Sequence, residues 1–127
     1  MHIDRIILFV RTGGLPAARA FFEAAGVKVS STQSANAATA TPPSGPQFNL
    51  VERALQPALA PSSIICFRMS APRTLDGVVP ELIAAGAALE GAILRRPFET
   101  VATLSVPAIP SALFSIVEME AAPKGRQ

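Results

Sequence analysis

The chain has 127 residues, with Lys+Arg 11 against Asp+Glu 9 for a formal net charge of +2, and it is 50% hydrophobic but only 16% charged. One domain with one sizeable core is the expectation, since domains usually run to roughly 100–200 residues, and so apolar a composition excludes a chain that stays disordered as a whole. With no Trp, no Tyr and no basic block, nothing provides a base-stacking surface, so no nucleic-acid partner is expected.

The first element follows Asp4 and Arg5, where Ile6 to Val10 form an apolar run of strand length. That run is too short for a secretory signal core or a membrane span. As a strand it alternates, so Arg5, Ile7 and Phe9 share one face, while Asp4, Ile6, Leu8 and Val10 share the other. Gly13-Gly14 ends it. Residues 15–26 then read as a helix, with Pro16 in the first turn and Gly26 suited to the left-handed position after the end. Leu15, Ala18, Phe22 and Ala25 recur at helical spacing and form its apolar stripe.

Residues 27–32 are β-prone, and 34–46, rich in Ala, Ser, Thr, Pro and Gly, read as a flexible loop or hairpin. Residues 48–52 make a strand, and 56–62, rich in Pro and Ala, make a join. A second apolar strand covers 64–69 and a second helix 75–86, with Thr74 as N-cap and Asp76 favouring the positive end of the dipole. Pro80 predicts a kink, or a helix that starts near it. The most apolar long stretch, 77–94, contains Pro80, Glu81 and Glu90, which rules it out as a spanning helix. Residues 92–98, 99–106 and 113–119 are strand candidates separated by Pro-rich turns, and 121–127 reads as a fraying tail. The single cysteine, Cys66, cannot form an internal disulfide. A cytoplasmic protein with no membrane partner is the expectation.

The order repeats. Strand 5–10 corresponds to 64–69, and the helix ending Ala24-Ala25-Gly26-Val27 corresponds to the one ending Ala84-Ala85-Gly86-Ala87. The strand Phe48-Asn49-Leu50-Val51-Glu52 corresponds to Phe114-Ser115-Ile116-Val117-Glu118. Three matched elements in one order indicate a duplicated module, giving a single domain over 1–120 with modules at 1–55 and 62–120. If the likeness between the halves is coincidental, the alternative is a ferredoxin-like α+β sandwich.

These phrases, from Arg5-Ile6-Ile7-Leu8-Phe9-Val10 through Ala20-Phe21-Phe22-Glu23-Ala24-Ala25-Gly26 and the corresponding Ile64-Ile65-Cys66-Phe67 and Leu82-Ile83-Ala84-Ala85-Gly86-Ala87, resemble the vicinal oxygen chelate superfamily. That family includes glyoxalase I, extradiol dioxygenases and bleomycin-resistance proteins. The resemblance implies an α+β fold of duplicated βαβββ modules forming an open, glyoxalase-like barrel, with the site between the halves. It also implies a divalent metal held by His, Glu or Gln on the first and last strands of each module. The matching positions here are Arg5, Ile64, Asn49 and Ser115, or Leu50 and Ile116 after a one-residue shift. None offers imidazole or carboxylate, and Arg cannot ligate a cation. The one histidine, His2, precedes the first strand, and the turn before the last strand reads Ile109-Pro110-Ser111-Ala112 without the family's acidic pattern. No metal and no cofactor are therefore expected.

Alternation then suggests a lining of Arg5, Ile7, Phe9 and Asn49 from module one with Ile64, Cys66, Arg68 and Ser115 from module two. An apolar pocket with guanidiniums suits a small organic molecule with an anionic or carbonyl end. Alternatively, Arg5 sits at the barrel end and pairs with Asp4, Glu52 or Glu118. Three roles remain open: a small-molecule-binding protein, a lyase, isomerase or dioxygenase-type enzyme with a non-standard metal site or none, and a structural or regulatory module whose cavity its own side chains fill. So apolar a small domain is expected to form a homodimer.

Overall fold

The computed structural model describes residues 1, 3–54, 61, 63–69 and 73–119. His2, the 121–127 tail and, apart from Pro61, the 56–62 join lie outside the described residues. Module one runs β1 (Arg5–Arg11), α1 (Leu15–Ala24), β2 (Lys28–Ser31), β3 (Ala37–Thr41) and β4 (Gln47–Arg53). Module two runs β5 (Ser63–Arg68), α2 (Leu75–Ala84), β6 (Ala88–Leu89), β7 (Leu94–Arg95), β8 (Glu99–Ser105) and β9 (Ala112–Met119).

Each module makes its own sheet. The first has the order β1-β4-β3-β2 and the second β5-β9-β8-β6, with β7 also pairing β8. In both, the first and last strands are parallel neighbours, with Ile6 beside Phe48 and Ile65 beside Phe114. The repeated Phe-x-[Leu/Ile]-Val-Glu phrase thus occupies the same place twice. The architecture is the duplicated βαβββ fold with two open sheets and no closed barrel.

One face of each sheet packs inward. Leu8, Val10, Phe48 and Leu50 from the first sheet and Leu104, Phe114 and Ile116 from the second share a single buried core with both helices. Phe22 of α1 sits at its centre, with ring centroids of Phe21, Phe48, Phe67 and Phe114 at 5.5, 5.7, 6.1 and 5.8 Å. The α1 stripe includes Phe21, fully buried, while Leu15 and Ala25 are only partly covered.

Three expectations need correction. The 34–46 segment is hairpin and not flexible loop: it contains β3, Ala37-Ala38-Thr39-Ala40-Thr41, paired antiparallel on both sides. Alanine has little intrinsic strand preference, but Ala38 and Ala40 are buried under α1, where small side chains let the helix approach the sheet. The expected strand at 92–98 shrinks to a two-residue bridge, because Gly91 takes φ +74° and splits the counterpart of β2 into β6 and β7. Finally, α2 does not start at Pro80: it begins at Leu75 and runs past the proline, which lies exposed on its solvent side. Thr74 caps it, its hydroxyl accepting from the Gly77 amide at 3.2 Å.

The N-terminus of α1 lacks such a cap, because Gly14 stands at the capping position. Glu52 supplies it from β4, Oε1 accepting from the Gly13 amide at 3.1 Å and Oε2 from the Leu15 amide at 3.4 Å. A carboxylate there satisfies orphan amides and complements the helix dipole. Glu52→Ala is expected to cost about 1 kcal/mol of stability, read as a lowered midpoint in urea unfolding with unchanged slope. No helix among the described residues is long and apolar enough to cross a membrane.

Candidate functional site

The inward faces being occupied, the other face of each sheet carries the residues singled out by alternation. On β1, Ile7 and Phe9 stand on the outer face, 55% and 36% exposed. Ile7 is in register with Asn49 and Phe9 with Val51 on β4. On β5, Ile64 is 63% exposed, and it, Cys66 and Arg68 lie beside Leu113, Ser115 and Val117 of β9. Each half of the expected lining is thus assembled within its own module.

The two halves do not meet within one chain. Both inner faces converge on the shared aromatic core, so the outer faces point away from it. Among the described residues, no strand of one sheet brings a Cα within 8 Å of a strand of the other. Arg5 takes the place the sequence left open for it: its Nε lies 3.2 Å from Asp4 Oδ2, with both side chains more than half exposed. Such an exposed pair contributes little to stability. Arg95 and Arg96 also have acidic neighbours, Asp76 and Glu99, each at 3.0 Å. Hydrogen bonding and charge from Asp76 hold the Arg95 guanidinium above its ordinary pKa.

Two features of these faces escaped the sequence. Thr103 of β8 is opposite Ser115, the hydroxyl oxygens 3.3 Å apart, and Ser115 is the one buried polar residue among those described. Register alone could have found this pair, had β8 been aligned on β9. The guanidinium of Arg53 also lies over the Phe9 ring, 4.8 Å from its centroid, a cation–π contact. Arg53 follows the repeated phrase directly, and its place opposite Arg11 appears only once β1 and β4 are parallel.

For a divalent metal the donor set does not fit. Arg5 and Ile64 offer no lone pair to a cation, while Asn49 and Ser115 offer single neutral oxygens on separate sheets. Among the described residues no group of three or more His, Cys, Asp or Glu is placed to hold a metal ion.

A cavity of about 460 Å³ lies elsewhere, at the junction of the modules. Cys66 and Arg68 reach its wall from β5, whereas Arg5, Ile7, Phe9, Asn49, Ile64 and Ser115 do not.

No family model and no curated protein sequence matches the chain. Solved structures do. A hypothetical protein from S. aureus superposes with TM-score 0.70 at 13% identity, over 93% of this chain and 94% of that one. A glyoxalase/bleomycin resistance protein from Albidiferax ferrireducens gives 0.67 at 17% identity, over 93% and 98%. A glyoxalase/bleomycin resistance protein/dioxygenase from Nocardioides gives 0.62 at 16% identity, over 100% and 90%. The chain therefore has the vicinal oxygen chelate-like fold along almost its whole length.

Proposed function

We propose that this chain is a metal-independent, small-molecule-binding protein. The outer face of module one in one copy and that of module two in another enclose an apolar ligand with an anionic or carbonyl end. The observation that carries the reading is the row of large apolar side chains, Ile7, Phe9 and Ile64, left exposed on regular strands. A soluble domain seldom leaves such a face bare without a partner or a ligand for it. The two modules are duplicates, so their outer faces are two versions of one half-lining. One chain cannot fold its own two faces together while both inner faces are committed to a common core, and a second copy can. Asn49 and the Ser115–Thr103 hydroxyls then supply the polar groups, and Arg53 on Phe9 supplies a cation at the rim.

The test is calorimetric titration with 2-naphthoate, an apolar ring system bearing one carboxylate, on protein whose metal content has been measured. Saturable binding to the dimer is expected, undiminished by a chelator and at least tenfold weaker when Phe9 is replaced by Asp (about 1.4 kcal/mol per tenfold). Stoichiometric uptake of zinc, nickel, manganese or iron(II) that binding requires would overturn the reading. So would equal affinity in Phe9→Asp.

A further inference from the structure

The cavity at the module junction is formed mainly by the inner faces of the two sheets, with Cys66 and Arg68 reaching its wall from the end of β5. Phe48, Phe67, Val78 and Ile116 form its apolar interior, drawn from both sheets and from α2. The end of α1 closes one side, and the turn 42–46 between β3 and β4 forms a lip. That turn reads Pro42-Pro43-Ser44-Gly45-Pro46. Three prolines fix φ at three of its five positions, and Gly45 takes φ +97°, so the lip is set in shape before anything enters. The opposite wall is the end of β5, an edge strand whose one ladder partner among the described residues is β9.

Among the described residues, the charged groups bordering the cavity are Arg68 and Arg73, with no acidic residue in the lining. Arg73 is held in place: its Nη2 donates to the Ala24 carbonyl at 2.9 Å and to Glu81 Oε2 at 2.9 Å. The same guanidinium packs against Gly26, where a Cβ would come within 2.8 Å of Nη1. The Glu81 carboxylate already takes part of the Arg73 charge, but the anchoring fixes the guanidinium before a ligand enters, and pre-set geometry lowers the cost of binding. Arg68 makes no ion pair among the described residues. A volume of about 460 Å³ falls in the range of small-molecule sites, roughly 300–1,000 Å³.

We propose that the inter-module cavity is a second ligand site, taking an amphiphilic monoanion whose apolar body lies on Phe48, Phe67, Val78 and Ile116 and whose anionic group meets Arg68 and Arg73. It stands independently of the sheet-face reading, because its interior is made by the inner faces of the same sheets.

The chain has no Trp and no Tyr, so Ser44→Trp on the exposed lip gives a single fluorescent reporter of occupancy. Titration with decanoate is expected to change its emission saturably below about 1 mM, with decanol and decylamine at least tenfold weaker, a difference of about 1.4 kcal/mol. In the same background, Val78→Phe fills the cavity and Arg73→Gln removes a charge, and each should weaken decanoate at least tenfold. Circular dichroism identifies either variant if it fails to fold, leaving the other to decide. Ile7→Asp, on the outer face, should leave decanoate affinity unchanged. No saturable response, equal affinity for the three head groups, or unchanged affinity in the folded cavity variants would overturn the proposal. Loss of 2-naphthoate binding in Phe9→Asp with decanoate binding intact separates the two sites.

Discussion

Replacing Phe22 by alanine is expected to remove about 3–5 kcal/mol of stability and to do so in one transition that takes both modules. Phe22 belongs to α1 yet its ring meets Phe48 of module one and Phe67 and Phe114 of module two. Its side chain is fully buried, so truncation leaves a cavity that neighbours on two separate sheets cannot both collapse into. A loss of that size is a large share of a domain's usual margin of about 5–15 kcal/mol. Urea unfolding followed by far-ultraviolet circular dichroism reads it. Two resolved transitions, or a loss below about 1 kcal/mol, a value typical of ordinary substitutions, would mean that the modules are not joined through this ring.

The second large effect concerns assembly. On the proposed two-copy assembly, the double variant Ile7→Asp/Ile64→Asp should sediment as a monomer at concentrations where the unmodified chain is expected to dimerise. Each substitution places a carboxylate on an apolar patch that the proposed dimer would bury, and twofold symmetry would repeat every substitution. An unpaired buried charge costs several kcal/mol, so the dimer affinity is expected to fall at least about a thousandfold. Both positions are more than half exposed in the single chain, so fold stability should stay within about 0.5 kcal/mol of the parent. A parent chain that is monomeric at high micromolar concentration would refute the dimer outright.

Much of the fold was written locally. The phase of β1 was legible because Ile6, Leu8 and Val10 alternate with Arg5, Ile7 and Phe9, and burial follows that alternation from Ile6 to Val10. Gly26 and Gly86 marked the helix ends because they adopt φ +85° and +108°, which other residues resist. What stayed illegible was decided by neighbours in space. Ala37 to Thr41 becomes a strand because β2 and β4 flank it, information absent from its own composition. Pro80 sits within a helix because Leu75, Val78, Val79 and Leu82 bury their side chains around it, outweighing one missing hydrogen bond.

The candidate site was legible face by face and no further. Alternation identified which side chains share a surface, and parallel pairing placed Ile7 by Asn49 and Cys66 by Ser115. The relation between the two surfaces depends on which side of each sheet the common core occupies, and a repeat in sequence is silent on that. The junction cavity was invisible for a related reason: its walls come from five segments with no common spacing.

The parallel pairing of each module's first and last strands also sets an order of events during synthesis. β1 lacks the full ladder with β4 until Arg53 has left the ribosome, β4 being its one neighbour among the described residues. When that pair closes, Phe22 and Phe48 can meet, but Phe67 and Phe114, which complete the ring cluster, have not yet emerged. The emerging first half therefore carries an unfinished apolar surface on its inner side as well as its outer one. Such surfaces are where growing chains associate wrongly. On this ordering the exposed interval runs from the emergence of residue 53 to the emergence of residue 114, and slower elongation across module two would lengthen it.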